Sequence, residues 1–346
     1  MRKWLPYCEA VILIALIVLI VLNTKRGGAA INSPPASQAG AFIEQGDEHF
    51  AKQNLPQALF AYWEGIQAIE ADTNNVNHAS QLHAHLRVSE IYFHSNWTAD
   101  AEIHLNRAAA IDPDHPAVHL LRGKLLRDTG EQALAVQEFL AVIAKDPTYA
   151  EAHYQLGVLY QGTKQFEEAQ THYKKAIEND PDLIDVPFEP MPIGLQARLQ
   201  LSRTYRNIQQ MYQFIDRELT AEEQAQLVGL EDRGLEILEE VVAHAPDFTE
   251  AKQELIGLLY GRAAILRRGG EERAYDEALD VYQQIVTLDP TEVDAYLWMG
   301  QIYNSFLQDP ESALEVYRKA YALEPDSMTL TEIRTLERDL EEMQIE

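Results

Sequence analysis

An all-α fold built from repeated helical hairpins is what the sequence predicts, and three observations predict it. Pro113, Pro147 and Pro181 stand at equal intervals, a period of about 34 residues, and close the phrases IDPDHP, KDPTYA and NDPDLI, each behind a stripe of apolar residues at helical spacing. Gly157, Tyr160, Ala169, Tyr173 and Ala176 recur almost whole as Gly300, Tyr303, Ala313, Tyr317 and Ala320, just ahead of Pro325. A chain of 346 residues that is 46% hydrophobic supplies core for one elongated domain or two or three compact ones.

The N-terminal segment comes first in chain order. Leu5 to Leu22 is an apolar run broken only by Pro6 and Glu9, and its 18 residues span about 27 Å as a helix, enough to cross a hydrocarbon core. Trp4 and Tyr7 suit one interface, Lys25 and Arg26 the other. Residues 1–26 are therefore expected to be a transmembrane anchor. The rival is a cleaved signal peptide with Arg2 and Lys3 as its basic region, and the bases directly after the apolar run count against it. The slight excess of positive charge before the run puts the N-terminus in the cytoplasm and the repeats outside it, in the periplasm if the host is bacterial. Residues 27–40, rich in Gly, Ala, Ser and Pro, form a flexible linker.

Four regular units follow over residues 41–181. Two antiparallel helices approach closely only where side chains are small, so Gly157 and Ala169 mark a crossing that Tyr160, Phe166 and Tyr173 flank. Pro181 cannot continue a helix and ends the unit. The same roles fall to Gly46, Phe50, Ala58 and Tyr62, then to Ser89, Tyr92, Ala101 and Ala108, then to Gly123, Gly130, Ala135 and Phe139. Residues 182–193 are a loop, because Pro187, Pro190 and Pro192 prevent a helix. Residues 194–325 hold three further units, the first two lengthened. Residues 326–346 place Leu330, Ile333, Leu336, Leu340 and Met343 on one stripe, as a C-terminal capping helix requires.

This pattern resembles the tetratricopeptide repeat (TPR) family over roughly residues 41–345. The resemblance implies an all-α TPR-type α-solenoid of about seven hairpins, with a concave groove lined by the first helix of each unit. It also implies a protein that binds other proteins or peptides and is not an enzyme. Groove-facing places, assigned by resemblance, are Asp47, Phe50, Glu90, Phe93, His94, Lys124, Arg127, Tyr154, Arg203, Arg206 and Asn207. Of these, Phe50, Phe93, Lys124, Arg127, Tyr154, Arg203, Arg206 and Asn207 form the candidate partner-binding set. Its centre is locally basic, which fits either acidic segments of a partner or simply solvated cations. The Lys and Asn clamp of chaperone-binding members is absent, since Ile43, Asp47, Arg87, Ala117 and Leu121 occupy the matching places.

Other chemistries find little support. A formal charge of −27, from 55 acidic against 28 basic side chains, argues against general affinity for nucleic acid. Cys8 is the single cysteine, so the sequence offers no disulfide framework and no thiolate zinc site. No cofactor is expected. His78, His83, His85, His94 and His104 crowd one stretch, and His115 and His119 stand at helical i, i+4 spacing. They are assigned to different faces of the repeat and lack an HExxH pattern, which leaves a metal-dependent enzyme as a weak third reading. Asn96-Trp97-Thr98 matches a glycosylation acceptor and is equally an ordinary polar turn. The function expected is a membrane-tethered scaffold for protein–protein interaction. The alternative is an accessory factor of a cell-envelope biosynthesis, secretion or assembly pathway that cradles an enzyme or an exported chain.

Overall fold

The computed structural model describes residues 38–71, 77–184, 191–213, 218–269 and 272–343. The expected anchor at 5–22, nearly all of the linker and the middle of the Pro-rich loop, 185–190, lie outside them. Among the described residues there are fifteen helices and no strand. No helix of the described residues is long and apolar enough to cross a membrane. The chain divides into two units, one up to Ala197 and one from Arg198.

In the first unit the helices pair in sequence order: α1 (Ala39–Ala51) with α2 (Leu55–Ala71), α3 (His78–His94) with α4 (Thr98–Ile111), α5 (Pro116–Asp128) with α6 (Gln132–Lys145), and α7 (Ala150–Gly162) with α8 (Phe166–Glu178). The glycines explain the pairing. A methyl group placed on Gly46, Gly123 or Gly157 would lie 2.5, 2.7 or 2.5 Å from a ring carbon of Tyr62, Phe139 or Tyr173 on the partner helix. Those rings are fully buried, so the glycine is what lets each one lie flat against the first helix. Tyr173, expected beside the crossing, sits on Gly157 itself, and Ala169 is buried one turn away. In the second hairpin Leu105 replaces the aromatic ring, and there Ser89 replaces the glycine and donates from Oγ to the Ala101 carbonyl at 2.8 Å.

Turns are sealed by local chemistry. Asn96, Gly130 and Lys164, at equivalent places in successive repeats, each adopt positive φ (64°, 87° and 61°) and so turn the chain out of the first helix of a hairpin. Between hairpins the aspartate before each proline does the work: Asp112 Oδ1 accepts from Asp114 N at 3.1 Å, and Asp146 Oδ1 from Thr148 N at 2.9 Å. Asp180 departs from this pattern. Buried, it accepts from Ile184 N at 3.0 Å and from Gly194 N at 2.7 Å, tying both ends of the Pro-rich segment together.

The second unit begins within α9 (Ile193–Gln213), which is followed by α10 (Ala221–His244), α11 (Thr249–Gly269), α12 (Glu272–Leu288), α13 (Val293–Ser305), α14 (Pro310–Leu323) and α15 (Ser327–Met343). A capping box starts α10, with Thr220 Oγ1 accepting from Glu223 N and the Glu223 carboxylate from Thr220 N. Ser202 Oγ donates to the Gly234 carbonyl at 3.2 Å, joining α9 to α10. Gly300 repeats the earlier device against Tyr317, a ring carbon of which would stand 2.6 Å from an added methyl. Ile333 and Leu336 of α15 cover Ala313, Leu314 and Tyr317 of α14, so the terminal helix closes the last hairpin.

Candidate binding groove

The first helices of the first unit carry five of the candidate residues. Phe93 on α3, Lys124 and Arg127 on α5 and Tyr154 on α7 line a cavity of about 450 Å³, together with Asn96 and Gln155. Phe93 and Arg127 hold equivalent places one repeat apart, and Lys124 and Tyr154 stand about one and two turns before that place on their own first helices, so stacked hairpins present all four to one face. Phe50 lies elsewhere on α1: its ring carries the Arg87 guanidinium 4.7 Å from its centroid, and Arg87 Nη1 donates to Glu90 Oε2 at 2.8 Å.

Charge in this region is largely compensated from within. Lys124 is 4% exposed and forms an ion pair with Glu151, itself 8% exposed. Burial raises the Glu90 carboxyl above the usual carboxylate range, against the pull of Arg87 and Lys124. Arg127 bonds to the Gln155 side chain through Nη1, and its Nη2 lies 2.7 Å from Asp128 Oδ1. Asp47 accepts from the Tyr62 hydroxyl at 2.6 Å and lies 2.7 Å from His83 Nε2. Glu151 answers Lys124 from another helix, where spacing along one helix does not reveal it, whereas Glu90 and Asp128 stand three residues and one residue after the arginines they answer.

Within the second unit, Arg203 and Arg206 both close on Glu254. Arg203 Nε reaches Glu254 Oε1 at 2.9 Å and its Nη2 reaches Glu250 Oε1 at 2.8 Å, while Arg206 Nη1 reaches Glu254 Oε2 at 2.6 Å. Asn207, on the next residue of α9, is half-buried.

The histidines depart from expectation. His85 and His104, assigned to separate faces, meet with Nδ1 atoms 3.1 Å apart, and His153 and His172, which no motif singles out, meet with Nδ1 atoms 3.0 Å apart. The sequence did hold the signal, because both pairs share a separation of 19 and the second pair follows the first at twice the repeat period. His115 and His119 are not a ligand pair: His115 Nδ1 caps α5 by accepting from Ala117 N at 3.2 Å, and His119 Nδ1 lies 2.6 Å from Glu138 Oε2. Among the described residues no group of three or more His, Cys, Asp or Glu side chains is placed to hold a metal ion.

Family models for the tetratricopeptide repeat match residues 150–183 and 293–327, and one for the TPR repeat matches residues 123–164. A TPR repeat-containing thioredoxin, TTL4, of Arabidopsis thaliana is 32% identical over 105 residues, which cover 28% of this chain and 15% of that protein. The match thus spans a small part of that curated relative. The crystal structure of the C-terminal part of a TPR repeat-containing protein from Cytophaga hutchinsonii is similar over 84% of this chain and 99% of its own, at 14% identity and a TM-score of 0.53. The PilF structure from Pseudomonas aeruginosa covers 75% of this chain and 98% of its own at 18% identity, with a TM-score of 0.45. Over residues 123–183 and 293–327 the chain is thus made of tetratricopeptide repeats, set in an all-α fold of helical hairpins.

Proposed function

We propose that this protein is a membrane-tethered interaction scaffold whose first-helix face in residues 38–197 holds a polypeptide segment bearing carboxylates. The cavity between α3, α5 and α7 carries the proposal: it joins two aromatic rings, Phe93 and Tyr154, to amide and guanidinium donors from Asn96, Gln155 and Arg127. Rings supply apolar contact area and the donors orient an acceptor-rich chain. Among the cations here, Arg127 is the one suited to exchange partners. Its carboxylate, Asp128, is its own neighbour and 44% exposed at the side chain, whereas Lys124 is committed to a buried partner.

Selection of displayed peptides on the protein tests the groove. Enrichment of carboxylate-bearing sequences, weakened as salt rises, is the expected outcome; enrichment without charge bias contradicts it. The tether rests on the apolar run from Leu5 to Leu22 and on the linker behind it. A compartment-sensitive reporter fused after Glu346 should report an extracytoplasmic location. A cytoplasmic signal would reverse the assigned orientation, and release of the mature chain from the membrane fraction would replace the anchor by a cleaved signal.

A further inference from the structure

The histidine pairs occupy one register. His85, His119 and His153 hold the same place in successive repeats, on α3, α5 and α7, and the residues opposite them on α4, α6 and α8 are His104, Glu138 and His172. The outer two rungs thus oppose histidine to histidine, and the middle rung opposes histidine to glutamate. Where two histidines meet, a tyrosine covers the half-buried partner: the Tyr92 ring centroid lies 5.7 Å from that of His104, and that of Tyr160 lies 5.5 Å from His172. At the middle rung the matching residue is Leu126.

We propose that the two histidine pairs are acid-sensitive latches, each holding the two helices of its hairpin together while its rings share one Nδ1 proton and releasing them when both rings are charged. The α7–α8 pair shows the chemistry. His153 Nε2 lies 3.0 Å from the Pro147 carbonyl, which can only accept, so Nε2 carries a proton and the neutral ring offers Nδ1 as a lone pair. His172 must then donate from its own Nδ1. A first added proton goes to His172 Nε2 and leaves that bond in place; a second must go to His153 Nδ1, where it sets two N–H groups against each other. Proton entry is through the half-buried partners His104 and His172, because His85 and His153 are each 1% exposed.

The surroundings give no compensation to the first pair and little to the second. Burial, chiefly, and Arg107 lower His85 to about 4; burial, then His85 and Arg107, lower His104 to about 4. His172 is lowered to about 4 by burial, His153 and Lys175. His153 is lowered by burial and by Lys175, with the Pro147 carbonyl and Glu178 pulling the other way. The charged groups that bear on these rings, besides the histidines themselves, are Arg107 for the first pair and Lys175 and Glu178 for the second. At the middle rung Glu138 accepts from His119 whatever the charge on the ring, and Arg122 Nη1 stands 3.8 Å from the same carboxylate.

The sign follows from these directions. Each paired histidine binds its proton more weakly folded than unfolded, so the stability it contributes is complete above about 6.5 and falls as pH drops below that, for His85, His104 and His172 down to about 4. Thermal unfolding of the full chain, followed by circular dichroism at pH 7.5, 6.5 and 5.5, should show the midpoint falling by about 5 °C or more across this range. The double variant His104→Glu/His172→Glu, which copies the middle rung into the outer two, should remove that fall. An equal fall in variant and wild type overturns the proposal. Ring-proton NMR titration of the unaltered chain gives a test that needs no variant: His85, His104 and His172 should hold their neutral shifts to about pH 5 and His153 should titrate below its ordinary range, whereas titration of all four near 6.5 overturns the latch. Stabilisation of the wild type at pH 7.5 by added zinc ion, abolished by His172→Glu, would also overturn it, since the pairs would then be metal ligands.

Discussion

Small side chains in this protein are defined by the ring that lies on them. Gly157 is the clearest case, because a methyl group there would stand 2.5 Å from Tyr173 Cε1, a distance no ordinary contact tolerates, and the buried ring has nowhere to move. Gly157→Ala should therefore cost about 1–3 kcal/mol of folding stability, readable as a lowered thermal midpoint. The second hairpin, with Ser89 against Leu105, predicts the cure: Gly157→Ala combined with Tyr173→Leu should cost less than the sum of the two single changes. Strict additivity would show that the glycine and the ring do not share one space. The glycine positions themselves were legible in the sequence. Which residue they accommodate was not, because Phe166 and Tyr173 on the second helix both have the size to fill a crossing, and only the rotation of that helix decides between them.

At the scale of helices, punctuation was the readable part. Aspartate before proline, with a hydrogen-bonded amide two residues on, seals the turns at Asp112, Asp146 and Asp289. Proline marks those ends in the sequence because it cannot continue a helix. The longer helices, α9 with 21 residues and α10 with 24 against 13 in α7, show in the sequence as an apolar period that runs on past its usual length. Side-chain pairing across helices was readable only where it repeats, as the histidine pairs do at twice the period. Lys124 with Glu151 depends on which faces meet, and a one-position rotation would separate them. The last helix illustrates what pairing is worth. Leu336, 3% exposed, covers Leu314 and Tyr317 of α14. Leu336→Ala should cost about 2–5 kcal/mol. In a repeat chain such a loss stays near the damaged end, so limited proteolysis should cut α13–α15 while residues 38–197 remain intact. Simultaneous cleavage throughout would contradict this local view.

For the molecule as a whole, the balance of charge decides how a partner can be held. Against a formal charge of −27, the basic candidates turn out to be answered by carboxylates of their own: Lys124 by Glu151, and Arg203 and Arg206 by Glu254. The residue types alone suggest a strongly basic groove; in the first unit, by itself, Lys124 is paired with a buried carboxylate and Arg127 stands beside Phe93 and Tyr154 at the cavity wall. Arg206→Glu is accordingly a poor probe of recognition, because it would set a new carboxylate against Glu254 and disturb α9 itself. Arg127→Glu is the informative change. It lies at the cavity wall, its own carboxylate partner is exposed, and its loss leaves no buried charge behind. The most direct measurement is a calorimetric titration of a carboxylate-bearing peptide, obtained by selection on the unaltered protein, into wild type and Arg127→Glu at low and moderate salt. Binding weakened by about 2 kcal/mol or more in the variant, with less dependence on salt and helicity retained at the titration temperature, is what a carboxylate-holding groove predicts. Equal affinity in both proteins would contradict it.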